Sequence, residues 1–240
     1  MANKKRYLVI GDIHGRTIWK DIIEKENPDK VIFLGDYVST HEDISSTQQI
    51  NNLVDILTYK ENNQDKVILL RGNHDLQHLG YYWAECSGSD REVLNYMSEE
   101  GFKKRFLSLT QWIHVDKELR TIFSHAGISS IWMNNSNIDS VYDINKLEPS
   151  ELFGFTPDSL YDYYGNSITQ PLTWIRPQAL YECNIADWDQ VVGHTPVIKD
   201  IINIREFTKN NRNIWLCDAL NVSKYLIIDN NIFIPSEFKK

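Results

Sequence analysis

Val67-Ile68-Leu69-Leu70-Arg71-Gly72-Asn73-His74-Asp75 is the stretch on which the fold turns. Four consecutive apolar residues suit a strand buried on both faces, as in a parallel sheet. Gly72 then permits a tight turn, and Asn73 and His74 stand at its exit, two side chains able to bind a metal or move a proton. The same arrangement recurs along the chain, in Val9-Ile10-Gly11-Asp12-Ile13-His14-Gly15, Phe33-Leu34-Gly35-Asp36, Ile122-Phe123-Ser124-His125-Ala126-Gly127 and Val191-Val192-Gly193-His194. Ligands of open α/β sheets sit at the ends of strands. Five strand ends carrying Asp, His and Asn therefore point to one metal site assembled from across the sequence.

Upstream of that stretch, residues 7–11 read as a first strand. Arg16 to Glu26 sets Ile18, Trp19, Ile22 and Ile23 at helical spacing before Asn27-Pro28, and Val31 to Leu34 reads as a second strand. Ser45, Ser46 and Thr47 are N-cap candidates for a helix whose stripe is Ile50, Leu53, Val54 and Leu57. Downstream, Glu92 to Leu109 reads as one helix, and Trp112 to Val115 with Thr121 to Ser124 as a hairpin. Residues 134–171, rich in Asn, Asp, Ser and Tyr, read as an irregular insertion and a candidate lid. Its Tyr142, Phe153, Phe155, Tyr161, Tyr163 and Tyr164 suit a small satellite core, or a surface that stacks on a base. The last quarter is strand-rich: 191–192, 201–204, 214–217, 225–228 and 232–234. A half of β-α-β units and a half of hairpins imply one α/β domain over 1–240, with two sheets face to face and helices outside.

The 240 residues are 42% hydrophobic and 24% charged, enough for one sizeable core. A net charge of −8 argues against a general grip on nucleic acid, which wants a basic face. Cys86, Cys183 and Cys217 form no C-x-x-C pair and read as reduced thiols of a cytoplasmic protein. Neither a signal peptide nor a membrane-spanning apolar run is evident.

Taken singly, Asp12-x-His14 and Gly35-Asp36 fit solvated turns, and His125 or His194 fits a core histidine. Their joint recurrence after apolar runs is what turns them into a site. Asp, His and Asn ligands without thiolate suit Mn²⁺, Fe or Zn²⁺ and disfavour structural zinc. With a bridging carboxylate, such a set holds two ions ~3.5–4 Å apart, the arrangement that clamps a phosphoryl group.

The ordered motifs Gly-Asp-Ile-His-Gly, Gly-Asp-Tyr-Val, Leu-Arg-Gly-Asn-His-Asp, His-Ala-Gly and Gly-His-Thr-Pro resemble the calcineurin-like metallophosphoesterases. The nearest branch is that of the phosphoprotein phosphatases and bacterial diadenosine tetraphosphatases. The resemblance spans residue 7 to about 229. It implies an αββα sandwich of two mixed sheets with two divalent transition-metal ions in the cleft above them. Asp12 and His14 would bind the first ion, Asp36 would bridge, and Asn73, His125 and His194 would bind the second. His74 would be the general acid and Arg176 the phosphate-binding arginine, a role suited to a guanidinium fork, although a surface salt bridge fits Arg176 as well.

Two departures stand out. After Gly35-Asp36 the phosphoprotein phosphatase pattern continues with an Asp that orients the catalytic histidine and an Arg that holds phosphate, where this chain has Ser39 and Thr40. The phosphate then falls to Arg176 with Arg71 or His41, and His74 needs another acceptor. Pro196 also stands where many relatives have the second histidine of Gly-His-x-His.

The expected activity is hydrolysis of phosphomonoesters, with a phosphorylated small molecule or phosphoprotein as substrate and a metal-bound hydroxide as nucleophile. Hydrolysis of dinucleoside polyphosphates or phosphodiesters is the alternative chemistry. A non-catalytic binding module on the same fold is the alternative class, and a nuclease is disfavoured by the charge.

Overall fold

The computed structural model describes residues 5–156 and 165–239. Its strands are β1 Tyr7–Ile10, β2 Lys30–Phe33, β3 Val67–Leu69, β4 Ile113–Asp116, β5 Thr121–Ser124, β6 Asp189–Pro196, β7 Ile202–Asn203, β8 Ile214–Asp218, β9 Lys224–Asp229 and β10 Ile232–Glu237. The α-helices are α1 Trp19–Glu26, α2 Ser46–Asn62, α3 Asn73–His78, α4 Arg91–Met97, α5 Glu100–Leu109, α6 Ser130–Asn135 and α7 Pro177–Cys183.

Two five-stranded sheets result, ordered β10-β9-β1-β2-β3 and β4-β5-β6-β8-β7. Alternation along each strand decides what it packs against. Val9, Ile32, Ile68 and Leu226 of the first sheet meet Phe123, Val191, Ile214 and Leu216 of the second in a shared core. The intervening residues Leu8, Ile10, Val31, Phe33 and Leu69 face outward, onto Trp19 and Ile22 of α1, Leu53, Ile56 and Leu57 of α2, and Phe106 of α5. Behind the second sheet, Ile113 and Ile122 pack with Trp132 of α6 and with Ile144 and Phe153. Full burial of one such side chain is worth roughly 1.5–3 kcal/mol, so all three layers contribute to stability. The αββα sandwich expected from the motifs is the observed fold.

Several local readings hold. Ser45 caps α2, accepting from the Gln48 amide in a capping box. β4 and β5 form the expected antiparallel pair. Others need correction. Glu92 to Leu109 is two helices, because Glu99 leaves the helical region at ψ 133°. The helix expected from Arg16 starts at Trp19, because Ile13–Gly15 turn tightly with His14 at φ 44°.

The larger correction concerns the second sheet. β5, β6 and β8 run parallel and are not a series of hairpins. Parallel neighbours need a long crossover, and the irregular segment is part of that crossover between β5 and β6. Its described portions pack Ile138, Val141, Ile144 and Phe153 into the outer core. Tyr142 lies edge-on to Trp188 and Phe155 to Trp174, while Tyr161, Tyr163 and Tyr164 lie outside the described residues.

Candidate metal centre

β1, β2 and β3 are mutually parallel in one sheet, and β5, β6 and β8 in the other. Their C-terminal ends open into one cleft of about 400 Å³, lined by Asp12, His14, Asp36, Asn73, His74, Trp174, Arg176, His194 and Asp218. Two donor sets meet beside it, each with one ligand atom per residue within 4.8 Å of the others: Asp12, His14 and Asp36, and Asp36, His125 and His194. Asp36 is common to both. Asn73 joins the second set, its Oδ1 lying 2.9 Å from His125 Nε2.

The backbone is bent to achieve this. His14, Asp36 and His194 all have positive φ, at 44°, 50° and 60°. Each such residue costs about 1–3 kcal/mol and persists only where its surroundings fix it. At Asp36 the clamp is the buried carboxylate of Asp75, which accepts from the amides of Asp36, Tyr37 and Gly72 at 2.9, 2.9 and 2.8 Å. At His194 it is Asp12, whose two carboxylate oxygens accept the His194 amide at 3.0 and 3.1 Å.

Each candidate histidine ligand is also oriented from behind by a backbone carbonyl. His14 Nδ1 lies 3.0 Å from Val38 O, His125 Nδ1 2.9 Å from Leu34 O, and His194 Nε2 3.1 Å from Trp174 O. The other ring nitrogen of each is left for the cluster, the arrangement that fixes tautomer and ring plane in metal sites. Carboxylates, an amide oxygen and imidazoles without a thiolate fit a pair of divalent transition ions.

The electrostatics fit the same reading. Burial pushes the Asp12 pKa well up, and the neighbouring Asp218 carboxylate adds to the effect. Burial would also raise Asp36, but His125 and His74 draw it far below the usual carboxylate range. His125 is the converse: burial opposes its charge, yet Asp36 and Asp12 raise its pKa to about 10. In the metal-free chain at pH 7, His125 therefore carries a proton that a metal bound there would displace. Calorimetric titration with Mn²⁺ in buffers of different ionisation enthalpy is expected to show release of at least about one proton per chain at pH 7, with affinity rising with pH.

Asp218 and Asp75 had escaped the sequence reading. Asp218 is 5% exposed, and its carboxylate has no hydrogen bond or ion pair among the described residues. It ends the run Ile214-Trp215-Leu216-Cys217 as Asp12 and Asp36 end theirs, a signal that was present. A buried, unpaired carboxylate costs stability. Asp218→Asn is expected to stabilise the metal-free chain by ~1 kcal/mol and to weaken metal binding, as read by denaturation with chelator and with Mn²⁺. Asp75 has no comparable signal for its part in the site: beside the local Gly72 amide it receives those of Asp36 and Tyr37, which only the fold brings to it.

Of the substrate-binding candidates, Arg176 lines the cleft, with Nη1 donating to His194 O at 2.8 Å and Thr195 Oγ1 at 3.2 Å. His41 stands exposed on the rim. Arg71 is a correction. Its guanidinium turns away from the cleft, donating to Thr110 Oγ1, Thr110 O and Leu107 O and lying over the Trp112 ring. The carbonyls at the end of α5 draw the cation there. Ser39 supplies no substitute, for its Oγ donates to Gly88 O at 2.7 Å.

Solved structures with this fold include a cold-active protein-tyrosine phosphatase of Shewanella, at TM-score 0.61 and 17% identity over 97% of this chain and 78% of that one. A protein serine/threonine phosphatase of Saccharomyces cerevisiae gives 0.60 at 13% identity, over 100% and 81%. Among curated proteins, the symmetrical bis(5'-nucleosyl)-tetraphosphatase of Citrobacter koseri is 26% identical over 50% of this chain and 44% of its own length. That of Salmonella arizonae is 22% identical over 69% and 58%. The chain thus spans about half the length of these relatives. No helix among the described residues is long and apolar enough to cross a membrane. The family model for calcineurin-like phosphoesterases matches residues 5–228, around a cleft whose donor sets share Asp36, and the chain belongs to that family.

Proposed function

We propose that this chain is a metal-dependent phosphoesterase that hydrolyses phosphomonoesters, of phosphoprotein or nucleotide type, at a two-ion centre. The observation that carries the reading is the sharing of one buried carboxylate, Asp36, by two donor sets at an open cleft. Two divalent ions of manganese, iron or zinc would there offset phosphoryl charge and lower the pKa of water. Asp36 would bridge them, with Asp12 and His14 on one side and Asn73, His125 and His194 on the other. Arg176, anchored by the His194 carbonyl, would present its cation to the phosphoryl oxygens. His41 on the rim is a second candidate for that contact.

His74, which lines the cleft, would donate a proton to the departing oxygen. Burial pushes its pKa down to about 4, against the pull of Asp36. Its ring is therefore neutral at pH 7, and a phosphoryl dianion beside it would favour the charged, donating form. His74→Asn is expected to keep bound metal and KM while lowering kcat by about 10²–10⁴. Retention of full kcat would remove His74 from the role of acid.

The function is tested by comparing an aryl phosphate with a bis-aryl phosphate in the Mn²⁺-loaded protein. Faster cleavage of the monoester is expected. Preference for the diester overturns the substrate class, and failure to take up any transition metal favours a binding module. A second reading, hydrolysis of dinucleoside polyphosphates, has one observation of its own. Trp174 lines the cleft beside His194, their ring centroids 5.7 Å apart, and offers an indole on which a base can stack. Adding a dinucleoside tetraphosphate to the panel separates the two.

A further inference from the structure

We infer that Cys86 is the acceptor that positions His74, its thiol linking His74 Nδ1 to the side-chain carbonyl of Gln77. The kinetic consequence rests on the phosphoesterase reading; the geometry does not. Cys86 Sγ lies 3.4 Å from His74 Nδ1 and 2.9 Å from Gln77 Oε1. The orientation of the Gln77 amide is settled independently, since its Nε2 donates to Cys86 O at 2.7 Å. Oε1 therefore faces the thiol, and an amide oxygen can only accept.

Hydrogen counting does the rest. A thiol has one hydrogen, and the contact with Gln77 Oε1 uses it. A thiol keeps its hydrogen at neutral pH, and its donation to Gln77 Oε1 holds that hydrogen on the sulfur. The sulfur can then offer His74 only a lone pair, and the hydrogen between them belongs to Nδ1. An imidazole held with its hydrogen on Nδ1 takes its second proton on Nε2, which is then the nitrogen that donates.

No other hydrogen bond to the His74 ring is made among the described residues. Ser39 is committed elsewhere, its Oγ to Gly88 O and its amide to Gln49 Oε1. His74 and Gln77 lie one turn apart on α3, and Cys86 is brought back to them past a short 3₁₀ turn at Tyr82–Ala84. A neutral sulfur is a weak acceptor. It fixes the tautomer and the ring plane without adding a charge to those already crowded around Asp36.

Two measurements on the full chain test this. The first is independent of activity: ¹⁵N spectra of the metal-free protein with labelled histidine, His74 being assigned by its loss in His74→Asn. The Nδ1–H tautomer is expected in the wild type and in Cys86→Ser, with a shift toward Nε2–H in Cys86→Ala. An Nε2–H tautomer in the wild type, or none of this change in Cys86→Ala, overturns the proposal.

The second uses the Mn²⁺-loaded protein with two leaving groups. Cys86→Ala is expected to lower kcat about tenfold on phenyl phosphate but less than about threefold on 4-nitrophenyl phosphate, whose good leaving group needs little acid help. KM and bound metal stay unchanged, and Cys86→Ser recovers most of the loss. Equal losses on both esters overturn the proposal. So does a loss of metal, which would mean that Cys86 acts through the adjacent Asn73 amide. A wild type that cleaves neither ester sinks the phosphoesterase reading, while the tautomer still decides the positioning role.

Discussion

Asp36→Asn is expected to abolish turnover, by at least about 10³-fold, and to deplete bound metal, because it would remove the one charge common to both donor sets of the proposed two-ion site. The substitution is nearly isosteric. The Asp36 amide would still donate to Asp75, and an amide oxygen could still accept from the His74 backbone N–H, as Oδ1 does at 2.9 Å. Loss of the charge, and not of the fold, is thus what is measured. The variant also deprives the buried His125 of its chief counter-charge. Its imidazole should then be neutral at pH 7, and the proton released on Mn²⁺ binding should fall with it. Metal analysis, turnover of an aryl phosphate and a thermal melt together read the outcome. A folded variant with undiminished metal and activity would show that Asp36 does not bridge.

The other large effect is expected at Gly72. A Cβ there would lie 2.1 Å from Asp36 Oδ1 and 2.6 Å from the Asp36 backbone nitrogen. A side-chain oxygen can rotate away, but the backbone atom is held by the Asp75 carboxylate, which also takes the Gly72 amide. Relieving the clash therefore breaks the clamp that keeps Asp36 at positive φ. Gly72→Ala is expected to destabilise by roughly 3–5 kcal/mol, the range of overpacking combined with a lost buried network, and to lose Mn²⁺-dependent stabilisation. Gly101→Ala is the control, since nothing lies within 4 Å of its Cβ position. It sits in α5, where alanine is the better helix former, and should change stability by less than about 1 kcal/mol, in the favourable direction. Urea denaturation with and without Mn²⁺ measures both. Equal stability of the two variants would show that the Asp75 clamp yields freely.

Much of the site was legible because it is written in local grammar. An apolar run that ends on Asp, Asn or His, in most cases after a Gly, marks a buried strand that delivers a polar side chain at its end. Asp12, His14, Asp36, Asn73, His125 and His194 all follow that rule and all converge. Asp218 follows it too, but a lone Asp after a strand is ordinary turn chemistry until its neighbours are known. Arg71 turns away from the cleft for a reason that no short segment carries. Sequence proximity to Asn73 says nothing about which way a long side chain turns, and the α5 carbonyls decided that.

The sequence by itself determined the two-sheet class, the strand ends that bring the candidate ligands together and the donor types they offer. These depend on hydrophobic periodicity and donor type, which are properties of short segments. Only the tertiary structure decided that the second sheet is largely parallel, that the irregular segment is part of a crossover, and that Asp75 and Cys86 support Asp36 and His74. Each of these is a meeting of residues far apart along the chain or turned toward one another by packing. Such meetings are set by how sheets and helices stack, and no local pattern encodes them.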